Sequence, residues 1–182
     1  MRFRENRVLA SLIALAAVLA TILISGGARL SAQRAAAEDI FYNGNTGSGQ
    51  CIHTDIAARL DAACNLITLA GRYMPSGDAQ LEALSQAAEA LQAAEDISAL
   101  HQANQNLDAP AQALYQTLSS LSLSERDQIL LKQQYSDLSR RIDSIRRDAY
   151  NESARHYNQE ISGLPARFIA ALTGNKPLQT FD

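Results

Sequence analysis

Histidine, cysteine and arginine are the side chains here that could ligate a metal, attack a substrate or grip an anion. Their spacing argues against the first two. The histidines, His53, His101 and His156, lie far apart in sequence. Glu152 and His156 stand four apart, whereas helical-bundle di-iron sites take Glu-x-x-His, three apart, in several copies. A hydrogen bond or ion pair on a helix surface is the simpler reading. The chain lacks a His-Glu-x-x-His zinc motif, a Gly-x-Ser-x-Gly elbow, a P-loop and a dinucleotide fingerprint. Gly44–Gly49 has too little apolar strand before it to cradle a phosphate. A cysteine nucleophile needs a nearby imidazole, but Cys51 and His53 would point to different sides of a helix. No catalytic residue, cofactor or metal ligand is expected.

The remaining candidates are equally restrained. Cys51 and Cys64 are 13 residues apart. On one helix that is roughly 20 Å, beyond the ~7 Å that a disulfide allows between alpha carbons. They pair only if Cys51 sits in a loop that folds back; otherwise they are free, half-buried thiols. Arg140, Arg141, Arg146 and Arg147 form a basic patch that could meet anionic headgroups or an acidic partner. Interleaved with Asp137, Asp143 and Asp148 at helical pair spacing, it reads rather as a solvated face.

The elements carrying these residues are helices. Tryptophan is absent, four Phe and six Tyr are present, and alanine and leucine carry the apolar content. That favours helix over sheet. The net charge of −3 argues against nucleic-acid binding. From Tyr73 to Glu125 there is no Lys or Arg, while Arg126 to Lys176 holds nine basic and six acidic residues. An acidic and a mildly basic helix would attract if packed side by side, which sets orientation more than stability.

Residues 8–25, Val8 to Ser25, form an 18-residue run with no charge. As helix it is roughly 27 Å long, enough to cross a hydrocarbon core of about 30 Å with its flanks. Arg2, Arg4 and Arg7 precede it and Arg29 and Arg34 follow. This bias favours a cytoplasmic amino terminus and an exported remainder. The run is long for a cleaved signal, whose apolar core is usually ~7–15 residues, so an uncleaved signal anchor is expected. Gly26-Gly27-Ala28 would still serve as a cleavage site, and release as a secreted soluble helical protein is the alternative.

Beyond the run, helix can continue from Ala28 to Tyr42, and the glycine-rich stretch Asn43–Gly49 must break it, as a turn or a hinge. The next helix runs from about Cys51 to Tyr73. Ile52, Ile56, Leu60, Ala63, Ile67, Ala70 and Met74 form its buried stripe, and Pro75 ends it. A helix over 78–104 places Leu81, Leu84, Ala88, Leu91, Ala94, Ile97 and Leu100 inside. Asp108 as cap and Pro110 in the first turn start a short segment with Ala111, Leu114, Leu118 and Leu121 on its apolar side. Ser122-Leu123-Ser124-Glu125 reads as a capping box. A helix of roughly 37 residues and ~56 Å follows to Ile161, with Leu131, Tyr135, Leu138, Ile142, Ile145 and Ala149 as its seam. Gly163 and Pro165 end it. The expected fold is all-α: an N-terminal transmembrane helix (1–28), a helical extension and Gly-rich loop (29–50), and an elongated antiparallel helical bundle (51–182) with coiled-coil-like crossing.

The most specific pattern is Arg146-Arg147-Asp148-Ala149-Tyr150-Asn151-Glu152-Ser153-Ala154-Arg155-His156-Tyr157-Asn158, with two Tyr-Asn pairs seven residues apart. Leu164-Pro165-Ala166-Arg167-Phe168-Ile169-Ala170-Ala171-Leu172 follows, then Gly174-Asn175-Lys176-Pro177 and Phe181. This resembles the carboxy-terminal signature of the LemA family: a repeated Tyr-Asn, a Phe/Leu-Pro break, a short apolar segment and a Gly-x-Lys-Pro tail. Asn65-Leu66 resembles the family's Pro-Asn-Leu, with Cys64 in place of the proline. Leu138-Ser139-Arg140-Arg141 departs from the family's Thr-Glu-Asn. The resemblance implies an inner-membrane-anchored, exported helical bundle and no particular reaction. Its motif residues here are Asn65, Leu66, Tyr150, Asn151, Tyr157, Asn158, Pro165, Lys176 and Pro177. Seven residues make nearly two helical turns, so Tyr150 and Tyr157 share a face; each ring can pack into a neighbour while its hydroxyl finds a polar partner. Core packing with satisfied amides is the main reading of the Tyr-Asn repeat, and a peptide-binding strip is the second. The partners expected are the lipid bilayer, through Val8–Ser25, and an unidentified envelope protein.

Overall fold

The computed structural model describes residues 2–45 and 49–182. Eight helices form among them: α1 Arg2–Asn43, α2 Ile52–Ala70, α3 Ala79–Gln92, α4 Ile97–Asn106, α5 Asp108–Ser120, α6 Glu125–Arg146, α7 Ala149–Ser162 and α8 Ala166–Thr173. The described residues contain no strand. They fall into two compact units, Asp39–Glu152 with Gln179–Asp182, and Met1–Glu38 with Ser153–Leu178.

In the larger unit α2 is the central element and packs most extensively on α6, with α3 and α5 completing its surroundings. The acidic α3 lies against α2, α4 and α5, so the charge-asymmetric pair is not the main helix contact. The α2 stripe is rotated from the expected one. Leu60 and Ile67 are only half-buried, while Leu66, Ala62 and Leu69 are buried with Asp55 and Arg59. A three-four pattern of apolar residues could not reveal that two charged positions share the buried row. The Tyr115 and Tyr135 rings stack with centroids 4.1 Å apart, joining α5 to α6.

Polar side chains set the helix ends, and this is where the structure departs most from the expected boundaries. The 78–104 helix is two helices. Asp96 caps α4 by accepting from the Ala99 amide at 2.8 Å, which draws the chain out of helix and leaves Ala94 half-buried. Asp108 is not a cap but the first residue of α5, behind Leu107, because its carboxylate goes to Arg59. The expected capping box does not form: the cap is Ser124, two residues later than Ser122, and its amide donates to the Tyr73 hydroxyl at 3.3 Å. Ser124 Oγ accepts from the Asp127 amide at 3.2 Å and donates to Asp127 Oδ2 at 3.0 Å.

The expected 37-residue helix is also broken. α6 ends at Arg146 and α7 begins at Ala149. Asp148 Oδ1 accepts from the Tyr150 amide at 2.8 Å, and Asn151 Nδ2 donates to the Ile145 and Arg146 carbonyls at 2.8 and 3.2 Å. Side chains thus take the groups that a continuing helix would pair internally. Of the expected seam, Leu131, Leu138 and Ile145 are buried, while Tyr135, Ile142 and Ala149 are half-buried.

The smaller unit holds most of α1 and α7 together with α8. The helix does continue past residue 28, to Asn43. Of the glycine-rich stretch, Thr46, Gly47 and Ser48 lie outside the described residues, so the turn expected there is only partly described; Gly44 and Gly49 adopt positive φ, 80° and 67°. α8 packs on α1 at Gly26 and Gly27. A Cβ at Gly26 would come 2.8 Å from Ile169 Cδ1, and one at Gly27 would come 2.5 Å from Thr173 Cγ2. A side chain at either position would have to push Ile169 or Thr173 aside. The Gly26–Gly27 pair is therefore a packing platform, whatever its resemblance to a cleavage site. Gly174, at φ 74°, closes α8 in the left-handed conformation.

Candidate functional site

The motif residues are built into the chain's own tail. In the larger unit the buried Tyr150 donates its hydroxyl to the Gln179 carbonyl at 2.7 Å. Its ring meets Phe41 edge-on at 5.2 Å and Phe181 at 6.1 Å. Asn151, also buried, accepts from the Phe181 amide at 2.7 Å while its amide group holds the end of α6. In the smaller unit Asn158 does the same with Leu178: Nδ2 donates to the Leu178 carbonyl and Oδ1 accepts from its amide, both at 2.8 Å. Each asparagine thus offers an extended backbone one donor and one acceptor, as a neighbouring strand would.

The second tyrosine is not a copy of the first. Tyr157 is buried, but its hydroxyl lacks a hydrogen-bond partner of ordinary geometry among the described residues. Burial pushes its ionisation up; Arg34 pulls the other way and Glu38 adds to the rise. The expected satisfied hydroxyl therefore holds for Tyr150 alone.

The other motif residues are spread out. Leu66 is fully buried in the α2 core. Asn65 is exposed and donates to Gln134 Oε1 at 3.0 Å, linking α2 to α6. Pro165 is exposed at the start of α8. Lys176 and Pro177 are exposed, and the Lys176 carbonyl accepts from Arg34 Nη1 at 3.1 Å. The set consists of core positions and tail fasteners and forms no single pocket.

The candidates for chemistry are dispersed too. Cys51 is buried as the residue before α2, donating to the Tyr42 carbonyl at 3.1 Å, and Cys64 is exposed on α2; both are free thiols. His53 is exposed and lies 5.3 Å from the Tyr42 ring, centroid to centroid. His101 meets the Phe181 ring edge-on at 4.9 Å, and burial lowers its pKa. Glu152 and His156 are exposed on α7. Among the described residues no group of three or more His, Cys, Asp and Glu is placed to hold a metal ion.

Three polar clusters of the larger unit went unforeseen. Arg59 is fully buried. Its guanidinium donates to the Leu138 carbonyl at 3.2 Å, to the Asn104 carbonyl and side chain, and to Asp108, tying α2 to α4, α5 and α6. Burial lowers its pKa and Asp108 works against that. The buried Asp55 accepts from Arg141 Nη1 at 2.5 Å and Ser144 Oγ at 2.6 Å. Arg141, still 40 % exposed, therefore turns from the basic patch to a buried carboxylate, while Arg140 pairs with Asp137 as helical spacing suggests. Burial raises the Asp148 carboxyl pKa, the bond from the Tyr150 amide opposes this, and Asp55 adds to it. Any of these charges could have been noted as an interruption of an apolar row; no local pattern names its partner.

Asp127 is the third cluster. It accepts from the Tyr73 hydroxyl at 2.5 Å, from Ser124 Oγ and from Arg72 Nη1 at 3.2 Å. The Tyr73 bond, then Ser124, hold its pKa below the usual carboxylate range, helped by Arg72 and Arg126 and opposed by burial. A folded-state pKa below the unfolded one gives stability that is complete above the ordinary carboxylate value and lost as pH falls through the folded one. Asp127→Asn is expected to flatten that acid limb, measured as urea midpoint against pH. An unchanged slope would count against the role of this carboxylate.

With this arrangement described, the comparisons can be stated. The LemA family model matches residues 49–182, which contain every motif residue named above. No curated protein and no solved structure matches the chain. α1 includes one stretch long and apolar enough to cross a membrane, as a membrane-anchored helical protein requires. With its bundle, its two Tyr-Asn pairs and its tail all inside the matched region, the chain belongs to the LemA family.

Proposed function

We propose that this chain is a non-enzymatic interaction or scaffold module of the cell envelope, held in the bilayer by Val8–Ser25 with its helical units outside the cytoplasm. The observation that carries the reading is the bare apolar surface of α1. Val8, Leu12, Ile13, Val18, Leu19 and Ile22 stand exposed along an uninterrupted helix, and no described part of the chain buries that stretch. Lipid is the solvent that suits it. Its hydroxyls already have partners: Ser11, Thr21 and Ser25 each bond the carbonyl four residues back, at 2.9, 2.9 and 2.7 Å. The basic residues before the run favour a cytoplasmic start. Support for a role without catalysis comes from how the buried charges are used: Arg59, Asp55 and Asp127 each bind helices together.

Protease shaving of intact cells, combined with fractionation and the mass of the mature chain, tests this. The expected result is an uncleaved, membrane-retained chain whose residues beyond 43 are digested from outside. A mature chain that starts at Arg29 or later and is recovered in the soluble fraction would instead establish the secreted form.

A further inference from the structure

We infer that α8 is an interfacial helix, which lays Phe168 and Leu172, with Leu164 from just before the helix, into the bilayer surface beside the point where α1 leaves the hydrocarbon. The inference rests on the membrane reading above and deepens it. These three residues are 76, 65 and 70 % exposed. Phe168 and Leu172, four apart on α8, form one stripe, and Leu164 comes two residues before the helix begins. The opposite side of α8, through Ile169 and Ala170, is buried. A short helix with one apolar side packed on protein and another bare is unusual for a surface in water.

What covers the bare side follows from where α8 is docked. Its packed side rests on Gly26 and Gly27, which form the last turn of the uncharged stretch before Arg29. If residues 8–25 fill the hydrocarbon, those glycines lie at headgroup depth, and α8 lies there with them. Ile24, 73 % exposed, adds apolar surface on α1 at the same level. Arg29 and Arg167 are exposed in this unit, placed as cations at an anionic headgroup layer would be. An apolar cleft of about 310 Å³ opens between α1 and α8, with Leu30 and Ile169 on its walls and Arg29 and Glu160 as its charged members. An amphipathic helix at such a surface buries its apolar face about 5–10 Å into the headgroup–acyl boundary.

The absence of tryptophan makes the test direct. Phe168→Trp, Leu172→Trp, Val18→Trp and Ile129→Trp are each made in the full chain and reconstituted in mixed phosphatidylcholine and phosphatidylglycerol vesicles. Some vesicles carry lipids brominated near the headgroup end of the acyl chain, others lipids brominated near its terminus. The Phe168→Trp and Leu172→Trp indoles are expected to emit to the blue and to lose about half their intensity to shallow bromines, with less lost to deep ones. Ile129→Trp, exposed on α6 in the larger unit, supplies the comparison for an indole that the inference does not assign to lipid. If Val18→Trp is quenched but the two α8 probes emit as hydrated indole, α8 is not interfacial and the inference fails while the anchor stands. If the α8 probes are blue-shifted yet untouched by either bromine, the face is covered by a second copy or another protein, and the inference is equally overturned. If Val18→Trp itself escapes quenching, the anchor fails and the inference with it.

Discussion

Asp108→Ala is expected to destabilise the larger unit by about 3 kcal/mol, the low end of what removing one partner of a buried ion pair costs. The low end applies because the Asp108 side chain is 47 % exposed while that of Arg59 is wholly buried. Water can reach the rim of the pair but not the guanidinium stem. Arg59→Met also strips a donor from the Leu138 and Asn104 carbonyls and the Asn104 side chain, so it is expected to cost at least as much. The double change Arg59→Met with Asp108→Ala is expected to cost less than the sum of the two, because the shared pair is lost only once. Urea denaturation of the full chain in detergent, followed by helical circular dichroism, reads all three. An Asp108→Ala change within about 0.5 kcal/mol of wild type, the range of an ordinary surface substitution, would show that the pair does not hold these helices together.

Asn151→Ala is expected to cost roughly 3 kcal/mol, since it strips a partner from the buried Phe181 amide and from the last carbonyls of α6 together. The local readout is more telling than the global one. Hydrogen exchange at the Phe181 amide is expected to speed up more than exchange in the middle of α2. Asn151→Asp keeps the acceptor for Phe181 but sets a carboxylate against two carbonyls. It is expected to be as damaging at neutral pH and to recover as pH falls, because the protonated acid can donate again. Exchange at Phe181 unchanged in Asn151→Ala would mean that the tail is held by its apolar side chains alone.

The sequence was informative wherever hydrophobic spacing decides the outcome. The all-helical class, the uncharged run, and the buried Leu84, Leu91, Leu114, Leu118, Leu131 and Leu138 all follow from it. It was uninformative where a polar side chain chooses a distant partner. Asp108 has the residue type and position of a cap, and only the fold reveals that Arg59, 49 residues earlier, claims its carboxylate. Asn151 looks like one more polar position on a long helix, yet it helps divide that helix in two. In the Tyr-Asn repeat, Tyr150, Asn151 and Asn158 find their hydrogen-bond partners among residues 178–181, which no local pattern names. The Tyr157 hydroxyl departs from the expected satisfied one, because a ring can be placed by sequence period while its oxygen depends on the facing surface.

The two neighbouring glycines of α1 have a mechanical consequence. Because Ile169 and Thr173 occupy the space that side chains at Gly26 and Gly27 would need, α8 sits close against one side of α1. The segment that follows α8 therefore leaves α1 in one direction relative to that helix. A partner that docked on α8 would find α1 already in place beside it, and would lose less entropy than on two helices joined loosely.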